Sequence, residues 1–356
     1  MRVVFLFIIT SIFSIFVTAS TTVTKISSNQ GIVWGMVFID ENNLLLSHKD
    51  GRISLLNLQS KEIKNIENVP KILNRGQGGL LDIQKKDEWI YLTYVKSVKG
   101  EGATTLARAK LENNKLIDFK DLLVTKSISS ASHHFGSRIT FDDTGHLYFS
   151  IGDRGTRDNA QNLKTHAGSI IRLNLDGSVP RDNPFLNDTN ALPEIYSYGH
   201  RNPQGLFYDI NSKKLYSNEH GPRGGDEINI IEKGANYGWP IVSQGKEYWN
   251  PMYVGEYRSK KEYIDGIKVY IPSIAPSSLL SYSGKKYKNL KGNLFSGALK
   301  LQHLNQIILD KNDNVIKENR LLEDLHERIR NVIESPNGEI YISTDSGNIY
   351  LVDFKE

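Results

Sequence analysis

Four short stretches of the chain concentrate side chains able to do chemistry. The first, ASHHFGSR (131–138), sets His133 beside His134 ahead of a Gly-Ser turn, and Asp153 follows in SIGDRG. A histidine suits general-base work near neutral pH, and a carboxylate behind it would fix its tautomer. On an extended strand adjacent side chains point to opposite faces, so only one of the pair is expected in a given pocket. The plainer alternative is a hydrogen-bonded structural histidine.

The second stretch, IYSYGHRNPQG (195–205), places Arg201, Asn202 and Gln204 around a proline that favours an extended Asn202 and a turn. Three such donors suit a ligand with carbonyls or carboxylates, and an ordinary polar turn is the alternative. In the third, HERIRNVIESPNG (326–338), Arg328 and Arg330 alternate and so share one strand face. Either they clamp an anion through bidentate contacts, or Glu323, Asp324 and Glu327 pair with them. Lys300, in SGALKLQ, would add a third positive charge.

The fourth stretch is SNEHGPRGGDE (217–227). Its glycines and proline make it a turn, but one unusually rich in acids. Calcium takes oxygen ligands, backbone carbonyls included, in irregular geometry. The carbonyls of Gly221 and Pro222 could serve, with Glu219, Asp226 and Glu227 adding negative potential. Alternatively, Asp226 and Glu227 merely pair with Arg223 at the surface.

These clusters need a frame, and the frame is a recurring phrase of short apolar strand, Asp/Asn/Gly-rich turn and second strand. It occurs at 35–58, 79–96, 138–155, 205–221, 277–299 and 331–353. β-Branched and aromatic residues between turn signals read as strands. One such sheet cannot bury both faces, whereas copies packed radially can, so the fold class is all-β, a six-bladed β-propeller. No interdomain linker interrupts residues 20–356. The long intervening segments, roughly 97–137, 156–200 and 222–276, are expected to lie on one face and carry the site.

Composition narrows the chemistry further. The chain has 356 residues, no cysteine and a formal charge of +4, which excludes disulfides, thiolate metal sites and thiol catalysis. Basic residues are not clustered with aromatics as a nucleic-acid surface requires. The opening stretch MRVVFLFIITSIFSIFVTAS reads as a secretory signal over residues 1–19, cleaved before Ser20. A periplasmic or secreted protein with no span in its mature form is therefore expected.

From about Gly31 to the C-terminus the chain resembles the soluble pyrroloquinoline quinone (PQQ)-dependent aldose sugar dehydrogenases, relatives of soluble glucose dehydrogenase. The resemblance is carried by RGQGGLLDI, HHFGSRITFDDTGHLYFSIGDRG, YSYGHRNPQG, SNEHGPRGGDEINIIEKGANYGWP, PSIAPSSLLSYSG and ERIRNVIESPNG. It implies a six-bladed propeller that binds PQQ and calcium and oxidises an aldose at C1 to a lactone, passing electrons to an acceptor that stays unidentified. By the same resemblance His134 matches the catalytic base and Asp153 its supporting carboxylate. Gln77 and His133 match substrate contacts, and Arg201, Asn202 and Gln204 touch the quinone. Lys300, Arg328 and Arg330 match the grip on its carboxylates, and Ser273 stands where a relative has a threonine on the cofactor. Gly221 and Pro222 match the calcium-holding carbonyls. Ile271 departs from the pattern, standing where relatives tend to carry a tryptophan lining the substrate pocket.

Two other readings are weighed against this. A calcium-dependent propeller lactonase would need metal-binding carboxylates but no cationic clamp. An exported interaction propeller would have lost the base or the clamp.

Overall fold

Each strand–turn–strand phrase forms the opening strands of a four-stranded antiparallel sheet in the computed structural model, which describes residues 21–355. The expected signal at 1–19 lies outside those residues. The aspartate ending a first strand often builds the turn that follows. Asp142 Oδ1 accepts the backbone N–H groups of Thr144 and His146 at 2.9 and 2.8 Å, and Asp40 Oδ1 accepts those of Asn42 and Asn43. This is the Asx-turn chemistry that makes aspartate a turn residue.

The six sheets are the blades of a propeller. Blade 1 comprises Val33–Phe38, Asn43–His48, Ile53–Asn57 and Ile63–Asn65. Blade 2 comprises Leu80–Lys86, Trp89–Val98, Glu101–Glu112 and Lys115–Val124. Blade 3 is built from Ile139–Phe141, His146–Ile151, Ser169–Asn174 and Ile195–Tyr198. Blade 4 takes Pro203–Asp209, Lys214–Glu219, Asp226–Ile231 and Lys268–Tyr270, and blade 5 takes Pro276–Ser281, Leu294–Ala298, His303–Leu309 and Val315–Leu321. Blade 6 joins Ile329–Glu334, Ile340–Thr344 and Ile349–Phe354 to Thr21–Ser27 from the other end of the chain. That last strand pairs Val23 with Val352 and closes the ring.

Apolar residues fill the spaces between blades. Leu106 and Tyr91 of blade 2, for example, pack on Ile139, Phe149 and Ile171 of blade 3, all buried. Nearer the axis, buried polar side chains bond each blade to the next blade's innermost chain. Ser47 donates to the Leu81 carbonyl, Thr93 to Ser137, Ser150 to Pro203, Asn218 to Ser278, Ser277 to Ile329 and Ser343 to Val33, at 2.5–3.0 Å. The six bonds form a closed circuit.

In a four-stranded antiparallel meander, the turn between strands two and three and the exit to the next blade leave on the same face. Every candidate residue occupies one of these positions. Gln77, His133, His134, Arg201, Asn202, Ser273 and Arg328 lie on exits, and Gln204 and Arg330 begin innermost strands. Asp153, Gly221, Pro222 and Lys300 lie in second-to-third turns. In five blades the register between the first two strands shifts near this face, as at Pro203/Gly205 and Ile329/Asn331. Such bulges re-aim side chains at sheet ends.

The segments 97–137, 156–200 and 222–276 are not simply face loops. They also contain outer strands of blades 2, 3 and 4, because each phrase covers only part of its four-stranded blade.

A cavity of about 520 Å³ opens on the opposite face among Phe38, Phe141, Phe207 and Leu280, away from the polar clusters. Arg138 separates it from the chemistry. Its guanidinium bonds Asp82 at 2.9 Å and the carbonyls of Gln204 and Trp34, and both members of the ion pair are buried. Removing one partner of such a pair leaves a buried uncompensated charge. Asp82→Ala is expected to destabilise the fold by about 3–5 kcal/mol. Ser150→Ala, which unpairs one carbonyl of the circuit, should cost about 1–3 kcal/mol. Urea unfolding of the two variants beside the parent protein measures both.

Candidate active site

The segment bearing the two histidines is an irregular loop, not a strand, and His134 adopts a left-handed backbone with φ 58°. Both rings therefore face one cavity of about 270 Å³, which corrects the expectation that only one could. They meet edge to face at 4.6 Å between centroids. The loop is fixed from several sides. The His134 N–H donates to Gln77 Oε1 at 2.9 Å, and buried Arg154 donates to the carbonyls of His133 and Ala131. Gly152 lets the loop approach, since a Cβ there would lie 2.5 Å from the His134 carbonyl oxygen.

Asp153 is the hub of this corner. Its Oδ1 lies 2.7 Å from His134 Nδ1 and accepts the Gly155 N–H at 2.8 Å, while its Oδ2 accepts the Trp239 indole N–H at 2.9 Å. Facing an ionised carboxylate, Nδ1 carries the proton, which leaves the Nε2 lone pair for other work. Burial lowers the His134 pKa below the ordinary histidine value, and the Arg201 charge works in the same direction against the pull of Asp153. Burial alone would raise Asp153. The hydrogen bond and charge of His134, the Gly155 N–H and Arg201 outweigh it, so Asp153 stays below its ordinary value.

Arg201, Asn202 and Gln204 do not project from a surface turn but are buried near the axis. Arg201 borders the His134 cavity, and its Nη1 donates to the carbonyls of His220 and Gly221 at 3.0 and 2.8 Å. Its Nε is buried without a protein partner. Asn202 Oδ1 accepts from Gly136 N–H and from Gln204 Nε2. Both side chains line a second cavity of about 300 Å³.

Glu219 and Asp226 of the 217–227 turn are internal braces, and no ion pair among the described residues joins Asp226 or Glu227 to Arg223. Buried Asp226 accepts the Gly221 and Ala275 N–H groups and the Ser273 hydroxyl at 2.5–2.8 Å. Glu219 accepts from the Arg201 N–H and bonds His200. Gly221 is required by the fold of the turn, because a Cβ would collide with the Gly224 and Gly225 carbonyls. With its N–H tied to Asp226, the Gly221 carbonyl faces a cationic donor, Arg201. That carbonyl is occupied by the guanidinium N–H, so a hard cation held by it would take the place of the Arg201 contact. Among the described residues no cluster of three acidic or histidine side chains offers another metal site.

Arg328 and Arg330 share one face as expected, but their partner is Asp345, not Glu323, Asp324 or Glu327. Arg330 makes a fork to its two oxygens at 2.7 and 2.9 Å, and Arg328 Nε reaches it at 2.8 Å. Glu327 instead accepts from Ser346 and Asn348. The second cavity is lined by Arg328, Arg330 and Lys49 against the single carboxylate of Asp345, with Trp34, Phe135 and Leu299 as apolar walls. Burial and then the Arg330 charge lower the Lys49 pKa, a sign of crowded positive charge. This surplus fits an anion with a flat apolar body. Lys300 is exposed and lines neither cavity, and the Ser273 hydroxyl is turned to Asp226. Ile271 is 69 % exposed.

Four residues escaped the sequence reading. Asp345 and Lys49 sit in second-to-third turns of blades 6 and 1, and Trp239 and Arg157 in long loops. The turn positions are predictable in kind once strands are counted by blade. Nothing local marks Trp239.

The fold and this cavity pair define a class. The chain belongs to the glucose/sorbosone dehydrogenase family, whose model matches residues 31–352. It is 34% identical over 330 residues to the aldose sugar dehydrogenase YliI of Escherichia coli, covering 88% of this chain and 87% of that protein. It is 28% identical over 417 residues to quinoprotein glucose dehydrogenase B of Acinetobacter calcoaceticus, covering 93% and 86%. Its fold superposes on the crystal structure of the soluble aldose sugar dehydrogenase of E. coli in the apo-form with a TM-score of 0.89 and 31% identity, covering 94% and 99% of the chains.

The His134 environment sets a titration. Imidazole NMR should find His134 protonating below the ordinary histidine value, because burial and Arg201 oppose the charge. Asp153→Asn removes the one strong opposing pull and should move that pKa lower still. The depressed folded pKa means that His134 contributes stability above the unfolded value, lost as pH falls towards the folded one.

Proposed function

We propose that the protein is an exported PQQ- and calcium-dependent aldose dehydrogenase, with residues 20–356 as its catalytic domain. The observation that carries this reading is the His134–Asp153 pair opening beside a cavity with excess cationic side chains. Family membership and the relatives' printed names support sugar oxidation, and the name quinoprotein supports the cofactor class. The apolar opening stretch supports export to the periplasm or beyond. The described residues contain no helix long and apolar enough to cross a membrane.

In this reading His134 Nε2 takes the proton of the anomeric hydroxyl, and Asp153 on Nδ1–H stabilises the imidazolium that forms. Gln77 and His133, which line the same cavity, orient the sugar. Arg201 holds positive charge where negative charge develops on the acceptor. Arg328, Arg330 and Lys49 would hold the cofactor carboxylates, with Lys300 as a further cation reaching them from its exposed turn, while Asn202 and Gln204 would present amides to its body and Ser273 braces the metal turn. The Gly221 and Pro222 carbonyls hold the calcium. When bound, the cofactor supplies a quinone that accepts the C1 hydride and the calcium polarises its carbonyl, so the sugar leaves as a lactone. A lactonase would use a carboxylate-rich metal site and would have no use for the cationic cavity.

The test is reconstitution of cofactor-free protein. Dye reduction by aldoses is expected only when PQQ and calcium are both added. His134→Ala should lower kcat/KM by about 10²–10⁴-fold while leaving PQQ affinity intact. Arg330→Ala should weaken PQQ binding by roughly tenfold or more. Absence of calcium-dependent PQQ binding would overturn the reading.

A further inference from the structure

Beyond the two cavities, four exposed large apolar side chains fall on one turn at the mouth of the site. Trp249 is 72 % exposed, with Tyr248, Met252 and Tyr253 beside it in sequence also exposed. Contiguous exposed apolar surface of this kind marks an interaction site. The turn is not loose. Arg223 and Lys246 exchange backbone hydrogen bonds at 3.1 and 3.2 Å, and the Glu247 N–H donates to the Met252 carbonyl at 2.8 Å. The Glu247 carboxylate takes a two-pronged contact from Arg157 Nη1 and Nη2 at 2.7 and 2.8 Å.

That contact ties the turn to the chemistry. Tyr248 and Arg157 line the cavity that holds His133 and His134. The Arg157 guanidinium lies 5.7 Å from the ring centre of Trp239, whose indole bonds Asp153, and 5.9 Å from that of Trp249. The two tryptophan rings are thus no more than about 12 Å apart, one buried against Asp153 and one facing solvent. A sugar oxidised at C1 must place the ring bearing C1 inward, so any ring linked to it extends toward the mouth. The apolar C–H face of a pyranose matches an exposed aromatic ring.

We propose that the 246–253 turn is a stacking platform, with Tyr248 and Trp249 receiving the second and later rings of a reducing oligosaccharide whose terminal ring enters the His134 cavity. The proposal rests on the aldose dehydrogenase reading and deepens it by assigning the residues that would receive the outer rings of a longer substrate. Because the backbone is pinned and the rings are already displayed, little ordering is required when a sugar arrives.

The experiment uses the protein loaded with PQQ and calcium, and compares kcat/KM for glucose, maltose and maltotriose. Specificity is expected to rise with chain length. Trp249→Ala should cut the trisaccharide-to-monosaccharide ratio by about fivefold, in line with one lost aromatic contact, and Trp249→Phe should restore most of it. In parallel, methyl maltotrioside, whose blocked C1 cannot be oxidised, should change tryptophan fluorescence in the parent protein and bind more weakly to Trp249→Ala. Oxidation of monosaccharides with no length dependence and no effect of Trp249→Ala on the ratio would overturn the platform alone. Failure to oxidise any aldose would overturn the dehydrogenase reading, and the platform with it.

Discussion

Six wedge-shaped sheets can meet around an axis only if the crowded innermost backbone finds donors for its carbonyls. Here the donors are short polar side chains, from Ser47 to Ser343, each reaching across to the next blade. A buried carbonyl left without a donor costs more than a made bond returns, so each contact specifies a blade-to-blade position as much as it stabilises. With no cysteine to staple the ring, this circuit, the apolar wedges and the pairing of Thr21–Ser27 with Ile349–Phe354 hold it. The site depends on that closure because Gln77, His134, Arg201, Ser273 and Arg328 come from five successive exits.

Two opposite electrostatic demands meet on the same face. In the proposed reaction His134 must stay neutral until it takes a proton; burial beside Arg201 favours its neutral form, while Asp153 keeps it oriented. The neighbouring cavity, proposed to hold an anionic cofactor, gathers positive charge that needs a counterweight. Asp345 supplies it, gripping both guanidiniums and keeping them on one face. Burial would raise its pKa, but the charge of Arg330, together with bonds from both arginines, holds it below the ordinary carboxylate value.

The propeller was legible because each blade repeats one phrase whose Asp and Asn turns are local chemistry. Asp142 and Asp40 do in the fold what such residues do in short turns. The blades' third and fourth strands were harder to see, since their outer edges are partly exposed and lack the sharp turn signals. The chemistry-bearing clusters were legible by residue type, and the loop conformation was not. Left-handed His134 depends on Gly152 pressing against its carbonyl, a contact between blades that no spacing announces. Arg328 and Arg330 were visible, but their partner lies on a distant turn, and the nearby acids were decoys. Trp239 reaches Asp153 from a loop 86 positions away.

The central claim is that hydride leaves sugar C1 while His134 takes the hydroxyl proton. It is tested most directly by an anaerobic single turnover of protein loaded with one equivalent of PQQ and calcium, followed by absorption. Adding an aldose should convert the bound quinone spectrum to the reduced form at once, more slowly with deuterium at C1, and far more slowly in His134→Ala. An unchanged spectrum with saturating sugars, or a rate indifferent to both C1 deuteration and the loss of His134, would contradict the account.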